Sequence, residues 1–589
     1  MTRKLLRSLP AATGPAVFAA ASFLLLWPFA RLDFDPYHDG YMLAQAMAVH
    51  EGGSIQSDAF TQYGPVTSWF QSVALFLPMG PALALRTINV VFIAVTLFLL
   101  ADMGRKRPRG WPVSRAVGWW AAIAWVVLAD IWMGIPMLPW SSTLAAMFSV
   151  AALYFLTRSM RFAEDGFIRA AFGTALLSGV CLGLMPFTRI TVGISAVAVG
   201  LSVAALILVK EGSGPRKVGT AFVFGIFLSI SAVISILAGT DSLADYYQQA
   251  IRWPLTWRQA ATENLHTEAF LTSIFLFQAT PVALACGVLF LQSRARTVQR
   301  GWSLSRSGVN VLTVLVGLMI VVWENMRIFF VTPEGASSRP AASSRVLEIF
   351  SGSNQYLYFF MVFAIVTSVL VCIFCVFRYV LHERLMGAPV AWLLLGGLAL
   401  SGLTQIVPTF DPKHAWWGAP IGLLLVFSVV RTTSQINRLS FNPLILPLLA
   451  TAVMATVSAF TYAGLERVPG QSGTVIEGML VTKAKSAQIS QDTTFLSQHL
   501  RGSTSVIYLV NDGDLSILSG RYSSADAFFV DWGPTPRVQS RIVRGNPIVV
   551  QTSTSGERYV IELARSIKYQ VMGENQRLAV LRPLPGVAQ

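Results

Sequence analysis

Apolar runs of about 20 residues recur along the chain from Gly14 to Gly464, each long enough to cross the ~30 Å hydrocarbon core of a bilayer. No other feature constrains the fold as much. A backbone crossing lipid must satisfy its own N–H and C=O groups, and a helix does so within one segment. The runs fall near residues 12–31, 81–104, 113–133, 139–158, 170–187, 190–210, 218–238, 270–292, 309–326, 354–377, 389–407, 416–431 and 443–463. They amount to about thirteen crossings. Composition agrees. The chain is 54% hydrophobic and 12% charged, about half the ~25% charge of a soluble domain.

The formal charge of +15 raises the question of nucleic acid. Its distribution answers it. Basic residues cluster in short connectors such as RKRPRG (105–110) and SRARTVQRGWSLSR (293–306), with no basic stripe interleaved with aromatics. This is the positive-inside pattern of cytoplasmic loops, and nucleic-acid binding is rejected. With the N-terminus inside and strict alternation, every inner connector is basic. Asp33, Asp35, Asp39, Asp58, Asp130, Asp241, Asp245, Glu324 and Asp411 all map to the outer face. The inner exceptions, among them Asp102, Glu164 and Asp165, sit close to arginine or lysine.

The N-terminal MTRKLLRSLPAATGPAVFAAASFLLLWPFA is expected to stay as a first helix, since no small-residue cleavage site follows its long apolar stretch. Cys181, Cys286, Cys372 and Cys375 all lie in apolar runs, so no structural disulfide is expected. Beyond Gly464 the character changes. Short β-type runs at 505–510, 546–553, 559–564 and 578–583, with a helix-like stretch at 484–500, predict a small α/β unit. The division expected is a membrane domain, 1–464, and an extracytoplasmic soluble domain, 465–589.

The densest chemistry lies between the first two spans, in DFDPYHDGYMLAQAMAVHEGGSIQSDAFTQYGP (33–65). Leu43, Ala46 and Met47 recur at helical spacing and Gly52-Gly53 ends the run, so a short helix is predicted with Asp39 in its first turn. There the helix dipole favours an anion. Asp33 and Asp35 read as residues that keep the loop hydrated. The bland reading of the segment is a solvated, capped loop helix.

This stretch resembles the first-loop signature of the GT-C superfamily of membrane glycosyltransferases. That group includes protein O-mannosyltransferases, the lipid A aminoarabinose transferase and mycobacterial arabinofuranosyltransferases. Their loop carries an acidic pair, Gly-x-x-Leu, an alanine-rich helix, a Gly, and an Asp before a Tyr-Gly-Pro turn. Asp39 matches the second acid of the pair and Asp58 the later Asp, while His38 replaces the first acid. The resemblance implies that Asp39 is the base that activates the acceptor hydroxyl, with His38, Asp35 and Asp58 in support. It leaves open whether His38 and Asp39 hold a divalent cation (Mg, Mn or Ca). Sugar transfer from a polyprenyl phosphate needs a base at the acceptor and cations at the departing phosphate, which fits these residue types.

Four further groups stand out. VPTFDPKHAWWGAP (407–420) resembles a late Asp-x-x-His motif of GT-C chains, through Asp411 and His414. Trp416 and Trp417 there are sugar platforms or interfacial anchors. Arg86, Arg189 and Arg327 lie near outer helix ends and are costly in lipid unless paired or facing water. They are the candidate ligands of the donor phosphate, and snorkelling to headgroups is the plain alternative. Asp130 matches the place of a second-loop acid, and LGLMPFTRITVG (182–193) a GT-C helix break. The aromatic, amphipathic stretch 245–270 reads as an interfacial loop or lid. In the tail, NDGDLSILSGRYSSADAFF (511–529) lacks the glycine and distal glutamate of an EF-hand and is not read as a calcium site. It is similar to a tail segment of some GT-C enzymes, which implies acceptor binding, with plain folding as the other reading.

The expectation is thus a polytopic α-helical, GT-C-like membrane protein of the bacterial plasma membrane, with its active site and C-terminal domain outside. It would take arabinofuranose or mannose from a polyprenyl-phosphate donor to a glycan or lipid acceptor, with inversion. The rivals are a lipid-linked glycan polymerase or ligase, a transporter or flippase, and a non-catalytic scaffold whose tail binds glycan. A polymerase would place its machinery in a large late loop. A transporter would place charges near mid-bilayer.

Overall fold

The computed structural model describes residues 13–56, 61–105, 107–108, 111–127, 137–209, 213–252, 388–405, 412–434, 467–501, 503, 506–510, 514–518, 527–528, 546–551 and 569–584. Most of these are helical: α1 (Thr13–Ala30), α2 (His38–His50), α3 (Pro65–Ala74), α4 (Pro81–Met103), α5 (Arg115–Val127), α6 (Ser141–Glu164), α7 (Ile168–Leu184), α8 (Ile190–Val209), α9 (Ser213–Gly239), α10 (Ala388–Leu403) and α11 (Pro412–Ser434). Each predicted span on described residues overlaps one of them. Among the described residues, α1, α4, α6, α9 and the stretch Ile168–Phe187 are long and apolar enough to cross a membrane. The predicted spans at 270–292, 309–326, 354–377 and 443–463 lie outside the described residues.

The helices pack through small residues. On α7 and α9, a Cβ at Gly179 or Gly225 would overlap backbone of the facing helix. Lipid gives little hydrophobic drive between helices, so close backbone approach supplies the attraction. Helix breaks follow from proline and its neighbours. Pro186 sits in the 3-10 turn Met185–Phe187 that separates α7 from α8 and leaves Arg189 at the start of α8.

One end of the bundle gathers residues 31–56 and 61–80, the break at 185–189, the residues before α6, the start of α11 and part of the tail. At the other end Asp102 of α4 pairs with Arg105 (2.5 Å) and Arg158 and accepts the Tyr154 hydroxyl (2.8 Å). Arg105 is the neighbour that the sequence placed beside Asp102, and Arg158 arrives from α6, 56 positions away.

The C-terminal segment forms β1 (Val468–Pro469), β2 (Leu480–Val481), α12 (Lys483–His499), β3 (Ile507–Val510), α13 (Asp514–Leu518), β4 (Ala527–Phe528), β5 (Ile548–Gln551), β6 (Tyr569–Glu574) and β7 (Leu578–Pro583). Five strands make one sheet in the order β4-β3-β5-β7-β6. Pairing is parallel from β4 to β5 and antiparallel from β5 to β6. Leu496 and Leu500 cover Val506, Tyr508, Val510, Val549 and Val580 to form its core. β6 is not among the runs the sequence predicts: Tyr569–Glu574 is largely exposed and lacks an apolar alternation. The predicted run at 559–564 lies outside the described residues.

Candidate active site

The turn into α2 is built by two aspartates with opposite tasks. Asp35 Oδ1 accepts the amides of Tyr37 (3.0 Å) and His38 (3.2 Å), while Asp39 Oδ2 accepts the amide of Asp35 (2.8 Å). Orphan donors at the helix start are satisfied reciprocally, as in a capping box. From this shared turn the two carboxylates diverge.

Asp39 is 1% exposed and points inward to Arg86, which is 0% exposed. Arg86 Nε donates to Asp39 Oδ1 (2.9 Å) and Nη2 to Oδ2. Arg86 Nη1 donates to the carbonyl of Leu32 (2.6 Å) and, more weakly, of Ala30 (3.3 Å). Burial pushes the Asp39 carboxyl above the ordinary aspartate range, against the pull of Arg86. Arg86, a candidate from sequence for the donor phosphate, is bound to Asp39 and to backbone carbonyls. Asp39, the candidate base, has both oxygens engaged by a bidentate cation and one of them also by an amide. A charge at a helix end looks the same in sequence whether it is paired or free.

Asp35 instead remains part-exposed, and its Oδ2 lies 2.6 Å from His38 Nδ1. The His38 bond and two backbone amides hold its carboxyl below the ordinary value despite burial, which acts to raise it. With Nδ1 tied to the carboxylate, Nε2 is the ring nitrogen left to exchange a proton. No hydrogen bond to Nε2 forms among the described residues. His38 is wedged edge-on against Tyr37 (4.5 Å) and Trp140 (5.1 Å).

Trp140 joins this dyad to a cation. Its ring packs edge-on to Tyr63 (5.3 Å), and the Arg189 guanidinium lies 5.3 Å from the Tyr63 ring centre. Arg189 Nε and Nη1 are buried with no hydrogen-bond partner among the described residues. Burial pushes the Tyr63 hydroxyl up, and the nearby Arg189 charge opposes it. Gln62 Nε2 donates to that hydroxyl (3.0 Å). The Tyr63 turn can lie this close to the helix break because residue 64 is glycine, where a Cβ would overlap the Phe187 carbonyl. Gln249 clamps the loop from the far side, accepting from the Thr61 amide (3.0 Å) and donating to the Gln56 carbonyl (2.7 Å). The rest of the proposed lid, beyond Arg252, lies outside the described residues.

The late motif arrives through Trp417 rather than Trp416. Trp417 stacks nearly parallel to Trp140 (6.5 Å, 11°), and His414 meets Trp417 edge-on at 5.2 Å. Trp416 turns away and stacks on Trp125 at 5.1 Å. Each of these two indoles donates to the other's backbone carbonyl at 2.9 Å. Trp416 therefore clasps α11 to α5 and is closed to a sugar. Trp140 and Tyr63 were not singled out from sequence. The proline before Trp140 and the Tyr-Gly-Pro turn at 63–65 were the available signals.

Asp58, Asp130, Asp411 and Arg327 lie outside the described residues. Among the described residues no group of three or more His, Cys, Asp or Glu gathers to hold a metal. His38 Nδ1 faces Asp35 and Asp39 faces Arg86.

No protein-family model matches the chain. No curated protein matches it either. Among solved structures it is similar to the crystal structure of ArnT from Cupriavidus metallidurans bound to undecaprenyl phosphate. The identity is 12% and the TM-score 0.42, over 98% of this chain and 100% of that one.

Proposed function

We propose that the chain is an integral membrane glycosyltransferase of the GT-C type. It moves a sugar from a polyprenyl-monophosphate donor to a glycan or lipid acceptor at the outer face of a bacterial plasma membrane. In this reading the protein has about thirteen spans and a small extracytoplasmic α/β domain at its C-terminus. Arabinofuranose and mannose are the sugars tested first.

The observation that carries this reading is one juxtaposition. A carboxylate–imidazole pair, Asp35–His38, and a half-buried arginine, Arg189, whose Nε and Nη1 are buried and unengaged among the described residues, flank the same aromatic residues, Trp140 and Tyr63. The acceptor hydroxyl gives its proton to His38 Nε2, and Asp35 stabilises the imidazolium. The acceptor oxygen bonds to the anomeric carbon from the face opposite the phosphate, and the carbon–phosphate-oxygen bond breaks with inversion. Arg189 and the N-terminus of α8 receive the charge on the departing lipid phosphate. A phosphate is a stable leaving group, so the step needs one base and no protein acid. Asp39 serves here as the frame of the site. Asp58, Asp130, Asp411 and His414 are assigned to acceptor binding.

The test is transfer by purified protein in nanodiscs supplied with polyprenyl-phosphate sugars, followed by mass spectrometry. Asp35→Asn and His38→Ala should abolish transfer in a protein that still folds. Turnover near wild type in both would remove the dyad as base. Turnover should persist in EDTA, and its loss would restore a metal role. In a deletion strain, accumulated donor lipid with a truncated envelope glycan supports transfer, whereas a complete glycan points away from it.

A further inference from the structure

The loop that carries Asp35 and His38 is held by residues from the far end of the chain. Asp33 lies two positions before Asp35 and has a φ of 52°, left-handed backbone that is uncommon outside glycine and that aspartate tolerates better than most residues. The following contacts come from residues 467–481. The Asp33 amide donates to the Leu480 carbonyl (2.8 Å), and the Leu480 amide donates to the Arg31 carbonyl (2.6 Å). Arg31 Nε donates to the Gly478 carbonyl (3.0 Å). The Asp33 carboxylate pairs with Arg467 Nη2 at 2.7 Å.

This strap is not a loose linker. Val475, Ile476, Met479 and Val481 are buried in the same core as the membrane helices. Residue 80 must be glycine where the strap crosses the start of α4, because a Cβ there would overlap the Glu477 carbonyl. On the other flank, the amide of Asp514, at the start of α13, donates to the Pro36 carbonyl (3.3 Å). Asp35 thus sits between two residues, Asp33 and Pro36, that are each tied to the C-terminal segment.

We propose that Arg467, acting through Asp33, is a positioning residue for the Asp35–His38 pair, so that the C-terminal segment is a working part of the site. The role of that pair in transfer rests on the function proposed above. The placement of the pair does not, and the experiment separates the two.

Full-length protein in nanodiscs is compared as wild type, Arg467→Ala, Arg467→Lys, Asp33→Asn and the exchanged pair Asp33→Arg/Arg467→Asp. Hydrogen exchange over residues 31–40 reads placement, and steady-state transfer reads its consequence. Arg467→Ala should speed exchange in 31–40 and lower kcat about tenfold, the effect of ~1.4 kcal/mol, with donor KM within about twofold. Arg467→Lys should restore most of the rate. The exchanged pair should outperform either single variant. Unchanged exchange in 31–40 with Arg467→Ala overturns the proposal. So does a loss of rate that lysine does not rescue and that tracks a lowered Tm. Faster exchange in a protein whose wild type transfers nothing leaves the positioning intact and removes the glycosyltransferase reading.

Discussion

Asp35 and Asp39 lie one helical turn apart, share a capping network, and end in different environments. Asp39 faces a buried arginine that takes both its oxygens. Asp35 faces a half-open histidine and stays part-exposed. The same contrast separates Arg86, bound to a carboxylate and two carbonyls, from Arg189, whose Nε and Nη1 are unengaged among the described residues. A charge that completes its own bonding holds a site together. One that is buried with bonds to spare is available to a ligand.

The contrast is sharpest where the closed pair is opened. Removing one member of a buried ion pair costs about 3–5 kcal/mol, because the other is stranded. Arg86→Met should therefore lower thermal stability by that order and abolish transfer. Asp39→Leu/Arg86→Met should regain much of the stability, as read from the unfolding midpoint in detergent. If Arg86→Met unfolds like wild type, the frame assignment is wrong.

The open pair should behave in the opposite way. Asp35→Asn keeps a residue able to cap the turn, so folding survives while kcat falls about 10²–10⁴-fold, the range of lost general-base catalysis. Stability should stay within about 0.5 kcal/mol of wild type. Arg189→Ala should weaken donor binding about 10- to 100-fold, on the order of 1.5–3 kcal/mol for a charged hydrogen bond. Arg189→Lys should fall between, since lysine keeps the charge and loses the planar fork. Titration of donor lipid into each variant measures this.

The smallest effect is on acid stability. The Asp35 carboxyl is held below its ordinary value of 3.8. Its contribution is complete above that value and fades as pH falls through the lower folded value. Asp35→Asn should lack this component, so its difference from wild type should be largest at neutral pH and shrink to nothing as pH falls below the folded value, as read by unfolding at stepped pH.

Much of the helical plan was legible, because lipid forces long apolar runs whose lengths can be read directly. The loop between α1 and α4 was legible too, down to the short helix beginning at His38 and ending before Gly52-Gly53. The roles inside it were not. Asp35 and Asp39 are the same residue type near one helix start. Only the arrival of Arg86 from α4, 47 positions away, distinguishes them. Trp416 and Trp417 are adjacent and chemically identical, yet helix rotation sends one to Trp125 and the other to Trp140. Asp33 looked like loop hydration because its partner, Arg467, belongs to a part of the chain that composition sets apart.

That last separation has a consequence for synthesis. The partners Asp33 and Arg467 are 434 positions apart, so the ribosome releases the first long before it makes the second. Until residues 467–481 have been made and have folded back, the turn at Asp33 lacks its partners and the Asp35–His38 pair lacks its seat. On the function proposed above, a nascent chain, or one cut short before Arg467, would carry Arg189 without a positioned base and would stay silent.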